Sequence, residues 1–215
     1  VQGVACADGE HVSARRGVVL ACGGFGRNPA LIHKFVPHYD QAVFAGGAGN
    51  QGDGLLMAWE LGADFRDMAH IKGTYGKHPV DTTNTHACLC VYKGGIAVNE
   101  AAQRYVDESL SYKLLGDACL RQPNACTYQI MDQAMYEMGD NRDRIADFER
   151  RLEEGLLIRA ESLAALAQLL ELPAGALEAT VARYNAQVDA GHDADFGRRH
   201  LVHEYGELRR IERAP

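Results

Sequence analysis

Gly17-Val-Val-Leu-Ala-Cys-Gly-Gly-Phe-Gly-Arg-Asn28 is the stretch on which the reading of this chain turns. Val18, Val19 and Leu20 form an unbroken apolar run, the pattern of a strand covered on both faces. The run enters a glycine turn. Gly23, Gly24 and Gly26 carry no Cβ, so a backbone built from them can pass close to a ligand. A second block, Gly49-Asn-Gln-Gly-Asp-Gly54, opens a helix expected from Asp53 to Leu61. Leu55, Leu56 and Trp59 form its apolar face and Gly62 stops it. A glycine-rich helix start presents N–H groups to an anion or a hydroxyl.

Together these blocks read as pieces of a dinucleotide site, but out of their usual place. The usual order is a strand, then G-x-G-x-x-G, then a helix, and no such motif lies near the start. The chain opens at Val1-Gln-Gly-Val-Ala-Cys-Ala-Asp-Gly9, inside an expected hairpin that turns at Asp8-Gly9. Arg209 to Pro215 end without a closing element. The pattern is that of an internal segment of a longer protein.

Bulk properties narrow the class. A chain of 215 residues suits one or two domains, and 47% hydrophobic residues can build a core. A net charge of -7 argues against broad nucleic-acid binding, which needs a basic stripe. No apolar run approaches the roughly 18 residues that cross a bilayer, so no membrane association and a cytoplasmic location are expected. Cys6, Cys22, Cys88, Cys90, Cys119 and Cys126 include no C-x-x-C pair. They read as small buried hydrophobes of a reducing compartment. His200 and His203 have helical spacing but no third ligand nearby, so no metal is expected.

Further along, strands are expected at Ala87 to Tyr92, which would put Cys88 and Cys90 on one face, and at Gly95 to Val98. A helix is expected over Ser111 to Arg121, then a strand at Thr127 to Met131 and a helix to about Met138. The charged stretch Asn141 to Glu154 reads as an exposed helix with Ile145, Phe148 and Leu152 inward. Leu163, Leu166, Ala167 and Leu170 keep helical spacing. After Pro173, so do Leu177, Val181, Tyr184 and Val188, until Gly191. These stripes read as core.

The ordered set of blocks resembles a known family. Val18 to Asn28, Gly49 to Gly54, and Val98-Asn99 with Arg104-Tyr-Val-Asp-Glu-Ser109 are similar to the FAD-dependent fumarate reductase, succinate dehydrogenase flavoprotein and 3-ketosteroid dehydrogenase superfamily. Glu161 to Ala167, Leu172-Pro173, Thr180-Val181, Arg183-Tyr-Asn185 and Asp195-Phe-Gly-Arg198 fit the same family. The resemblance implies an α+β chain: the capping, or substrate, domain of a two-domain flavoprotein with a truncated piece of the FAD-binding α/β domain. Residues 1–68 would be that partial FAD domain, lacking its N- and C-terminal parts, and residues 69–215 the cap. The cofactor would be FAD. The partners would be a small-molecule substrate and the remainder of the FAD domain, with a homodimer through exposed strand edges as a further possibility.

By the same resemblance, Gly23 and Gly24 would lie against the FAD, and Asn50, Gly52 and Asp53 would line its ribityl–pyrophosphate side. The alternative is that these glycines only make tight turns. Cys22 stands where the family often has Thr, and Ala102 where a Gly is common. The family pairs hydride transfer at the flavin with proton transfer on the neighbouring carbon. Fumarate reductases carry an Arg just after the Asn-Glu that corresponds to Asp107-Glu108, whereas ketosteroid dehydrogenases have a Tyr in that region. Here that residue is Tyr112, the candidate catalytic proton carrier; the alternative is a Tyr packing at a helix start. A phenol, with an ordinary pKa near 10, donates readily but accepts only when its anion is stabilised.

Substrate contacts are read at Tyr75, His78 and Arg104. Dicarboxylates are best held by the planar fork of Arg, yet Lys72, Lys77 and Lys93 are the cations between Arg66 and Arg104. The fumarate reductase pattern Ile-Gln-x-His-Pro appears as Ile71-Lys-Gly-Thr-Tyr75, with His78-Pro79 nearby. Arg104, with Asp107 and Glu108, would either touch substrate or form an ion-pair network at a turn. The leading expectation is desaturation of a ketosteroid-like substrate beside its carbonyl. Reduction of a fumarate- or urocanate-like acid and a non-catalytic binding domain are the alternatives.

Overall fold

The computed structural model of the chain describes residues 1–79, 87–201 and 206–212. It comprises two compact units, Val1–Asp40 with Gly46–Ile71, and Gln41–Ala45 with Lys72–Pro215.

In the smaller unit, β1 (Gly3–Ala5) pairs antiparallel with β2 (His11–Ser13), with Gly3 opposite Ser13. The turn closes as the Asp8-Gly9 pair predicts: Gly9 takes φ 89° and donates to the Cys6 carbonyl at 3.0 Å. The strand expected at Val18 to Leu20 does not form. No strand among the described residues offers it a ladder, and Val19 is 89% exposed. A strand exists only against a partner, whereas an apolar run records only that burial is favoured.

Helix α1 (Pro29–Phe35) follows the first glycine block. Its signals are local. Asn28 Oδ1 accepts the Leu31 N–H at 3.1 Å, and Pro29 occupies a first-turn position that needs no N–H donor. Helix α2 (Asp53–Glu60) forms as read, and Gly62, at φ 84°, ends it by donating to the Trp59 carbonyl at 2.9 Å. Its inward face is narrower than expected, since Leu56 is exposed. Phe35 packs against Phe25, Trp59 and Phe65, with ring centroids 5.8, 5.6 and 5.5 Å away.

In the larger unit, β3 (Ile96–Val98) pairs antiparallel with β4 (Tyr128–Ile130). Alternation along β3 serves two cores. Ile96 and Val98 join Leu177, Val181 and Tyr184, while Ala97 joins Tyr75, Leu89, Val91, Tyr92, Val106 and Leu115. The first core is closed by α4 (Gln133–Tyr136), α6 (Leu163–Leu169) and α7 (Ala176–Asp189), whose apolar stripes face inward as read. The second is closed by α3 (Tyr112–Leu120), again as expected.

Two expectations fail here for identifiable reasons. Residues 87–92 do not form a strand; Cys90–Lys93 is a 3-10 turn, ended by Gly94 at φ 120°. The side chain of Gln129, rather than a strand backbone, donates to the Cys88 carbonyl at 2.6 Å. The helix expected from Asn141 shortens to α5 (Phe148–Glu153). Asp140 and Asp143 accept the N–H groups of Arg142 and Ile145, which stabilises turns instead.

The cysteines are all free, but burial is uneven. Cys90 is buried and Cys88 packs beside it against the Ala146–Phe148 cluster, where burial pushes the Cys88 thiol up to about 11. Cys6 and Cys22 are exposed, contrary to expectation. His203 lies outside the described residues. No described helix is long and apolar enough to cross a membrane.

Candidate functional site

The smaller unit stitches its two glycine blocks together through backbone. The Gly52 N–H donates to the Gly24 carbonyl at 3.1 Å, and the Arg27 N–H to the Asn50 carbonyl at 2.8 Å. Asn28 Nδ2 donates to the Gln51 carbonyl at 2.8 Å, and Arg27 Nε to the Gly46 carbonyl at 3.0 Å. Gly23, Gly24, Asn50, Gly52 and Asp53 thus share one locus. Sequence reasoning assigned no role to Arg27 or Asn28, although Asn before Pro is a helix-cap signal.

The glycines of this locus divide into two kinds. A Cβ on Gly23, at φ 80°, would stand 2.3 Å from Asn50 Oδ1, and one on Gly52, at φ 86°, 2.6 Å from Leu31 Cδ1. These positions demand glycine for close approach and for their left-handed backbone. At Gly24, Gly26 and Gly49 nothing lies within 4 Å of an added Cβ, so these glycines face open space. Beside them α2 begins at exposed Asp53. Its first bond of helical spacing is Leu56 N–H to the Gly52 carbonyl at 2.9 Å, which leaves the amides of residues 53–55 without a helical acceptor. A bare backbone surface ending in free amides fits an extended, partly anionic cofactor.

In the larger unit, Arg104 is enclosed. Its Nε and NH2 donate to Glu108 Oε1 and Oε2 at 2.9 and 2.7 Å. Its NH1 and NH2 donate to Asp193 Oδ1 and Oδ2 at 3.1 and 2.9 Å. The rings of Tyr184 and Phe196 flank the guanidinium at 4.9 and 5.2 Å. Burial lowers the Arg104 pKa, but the two carboxylates outweigh it and the net shift is upward. Arg198, fully buried, donates to Glu108 Oε2 at 3.3 Å and to the carbonyls of Val91 and Gly95 at 2.8 and 2.9 Å. Asp193 and Arg198 had no assigned role in the sequence, because nothing local links them to residue 104.

Tyr112 is the first residue of α3, half-buried against the second core. Tyr75 is buried, and its hydroxyl lies 3.1 Å from Thr127 Oγ1 and 3.0 Å from the Tyr105 hydroxyl. Tyr105 is itself 3.1 Å from Thr127, which closes a ring of three hydroxyls. Burial raises the pKa of both phenols, so both stay protonated and act as hydrogen-bonding groups. His78 is half-buried in an irregular segment.

Glycine approach, a bare backbone and helix-start amides are features that suit a nucleotide cofactor. The family model described as FAD binding domain matches residues 1–211, and the chain belongs to this family, whose cofactor is FAD. The chain is 30% identical over 195 residues to "Fumarate reductase (cytochrome)" of Shewanella frigidimarina, covering 88% of this chain and 32% of that protein. It is 32% identical over 231 residues to "3-oxosteroid 1-dehydrogenase" of Mycobacterium tuberculosis, covering 94% of this chain and 38% of that protein. A solved structure of the open conformation of a flavocytochrome c3 fumarate reductase matches with a TM-score of 0.71 at 25% identity, over 95% of this chain and 34% of that one. The chain therefore spans well under half the length of these relatives, each of which bears the name of an oxidoreductase.

The cradle makes a direct prediction. Gly23→Ala places a methyl group against Asn50 at a backbone angle that L side chains rarely adopt. The full-length protein is expected to purify with less flavin, read from the ratio of flavin to protein absorbance. Gly24→Ala, whose added Cβ meets nothing within 4 Å, leaves the loop unstrained, so a loss of flavin there would point to a cofactor lying against this glycine.

Proposed function

We propose that this chain is the segment of a flavin-dependent oxidoreductase that contributes part of the FAD site and the substrate domain. In this reading Gly23, Gly24, Asn50, Gly52 and Asp53 hold FAD, and residues 69–215 form the capping domain. The exposed Val19 and Leu20 then meet strands of the remaining FAD domain. FAD, when bound, supplies hydride acceptance or donation. The chain's own part is to orient substrate and move a proton, a role assigned to Tyr112, with Tyr75 and His78 as candidate substrate contacts.

The substrate class assigned is a neutral ketone, steroid-like, that loses hydrogen across the carbon–carbon bond beside its carbonyl. One observation carries this reading: both edges of the Arg104 fork are taken by Glu108 and Asp193. A dicarboxylate would need an open guanidinium, and opening this one would strand two buried carboxylates. This geometry favours the ion-pair alternative read for Arg104 over a substrate contact. The second reading, reduction of an unsaturated acid, is favoured by the identity to a fumarate reductase.

Anaerobic mixing of the flavin-loaded full-length protein with 4-androstene-3,17-dione, the steroid bound in a related ketosteroid dehydrogenase structure, tests the proposal. Loss of oxidised-flavin absorbance is the expected result. No bleaching, with reoxidation of pre-reduced flavin by fumarate or urocanate, would move the protein to the acid reductases. A protein that never takes up flavin would leave only a binding domain.

A further inference from the structure

The turn that launches α3 is tied to a single hydroxyl from another part of the chain. Ser111 stands at the N-cap, but its side chain makes no capping bond. Tyr92, in the 3-10 turn Cys90–Lys93, is 2% exposed, and its hydroxyl donates to the Leu110 carbonyl at 3.3 Å. Burial raises the pKa of this phenol, which stays protonated and able to donate. The Tyr92 hydroxyl thus holds the carbonyl of Leu110, the residue just before the cap.

The Tyr92 hydroxyl is itself held by rigid parts. Its ring packs in the core with Val91, Ala97, Val106 and Leu115. Its backbone N–H donates to the Leu89 carbonyl at 3.1 Å, and the preceding carbonyl, of Val91, accepts from Arg198 at 2.8 Å. The direction in which Tyr112 leaves the backbone is therefore referred to the core as well as to the local turn, in which the Ser109 N–H donates to Asp107 Oδ1 at 2.8 Å and the Leu110 N–H to the Asp107 carbonyl at 3.2 Å.

We propose that Tyr92 is a positioning residue for Tyr112, fixing through its hydroxyl the backbone turn from which the proton carrier projects. The inference rests on the assignment of Tyr112 as that carrier. Proton transfer requires heavy atoms within about 2.6–3.2 Å in a productive pose, and a displacement of about 1 Å can cost about a hundredfold in rate. Tyr92→Phe keeps the ring in the core and removes only the hydroxyl that holds the Leu110 carbonyl.

The test is a double-mutant cycle in the flavin-loaded full-length protein. Tyr92→Phe, Tyr112→Phe and the double variant are compared for flavin content, kcat and KM, with whichever of 4-androstene-3,17-dione or fumarate turns the flavin over. Tyr92→Phe is expected to lower kcat about tenfold, with flavin content intact and KM little changed. In the Tyr112→Phe background it is expected to have no further effect, because the group it positions is gone. An unchanged kcat in Tyr92→Phe, or an equal loss in both backgrounds, overturns the inference while leaving Tyr112 in place. An unchanged kcat in Tyr112→Phe overturns the carrier assignment, and the positioning role with it.

Discussion

Asp193→Ala is expected to lower the unfolding free energy of the larger unit by about 3–5 kcal/mol, the cost of removing one partner from a buried ion pair. Arg104, Glu108, Asp193 and Arg198 balance as two cations against two anions, and every one of these side chains is at most 4% exposed. Without Asp193, two guanidinium groups share the Glu108 carboxylate alone. The loop also loses its internal anchor, because Asp193 accepts the N–H groups of Asp195 and Arg198, both at 3.1 Å. The measurement is the urea midpoint of unfolding, with Asp193→Asn, which keeps the shape, expected to fall between the two.

The same site predicts an acid dependence. Burial pushes the Asp193 carboxyl up, but hydrogen bonds and charge from Arg104 outweigh it, and its pKa lies below the ordinary 3.8. A carboxyl depressed in the folded state contributes stability that is full above its unfolded pKa and disappears as pH falls through the folded one. The stability gap between the native protein and Asp193→Ala is therefore expected at pH 7 and should narrow below pH 3.8. A gap that stays constant into acid would show that packing, not charge, sets the cost.

Tyr112→Phe is expected to reduce turnover by about 10²- to 10⁴-fold, the usual contribution of a positioned general acid or base. Flavin content should not change, since the substitution leaves the residues proposed to hold FAD, Gly23, Gly24, Asn50, Gly52 and Asp53, as they are. The fold should persist, because the half-buried ring still packs against the second core and only the hydroxyl is removed. Rapid-mixing measurement of flavin reduction isolates the chemical step from product release. Unchanged reduction would return Tyr112 to the plain role of an aromatic residue packing at the start of α3.

The ring of hydroxyls formed by Tyr75, Tyr105 and Thr127 shows how far sequence reading reached and where it stopped. The resemblance alone points to Tyr75 as a substrate contact. The structure gives its hydroxyl two protein partners from distant parts of the chain. Arg104 follows the same pattern. The sequence offered an ion pair or a substrate contact, and the choice fell to Asp193, 89 residues away. Ala102 is a subtler case. It was noted as standing where Gly is common, and it indeed adopts φ 58° with its methyl group buried.

The features legible from sequence alone are those decided by neighbouring residues. The hairpin at Gly9, the end of α2 at Gly62, and the apolar stripes of α6 and α7 all follow from local backbone preference and periodicity. The two glycine blocks belong here too, since only glycine tolerates the close approaches at positions 23 and 52. What required the tertiary structure was anything whose energy depends on a distant partner. Residues 18–20 have the composition of a strand but no described strand to pair with, and residues 87–92 give up a strand for a turn held by Gln129 and Arg198. The buried charges of Arg104 and Arg198 are tolerable only because Glu108 and Asp193 converge on them. Periodicity carries no information about such convergence, because chain spacing does not determine which charges meet in space.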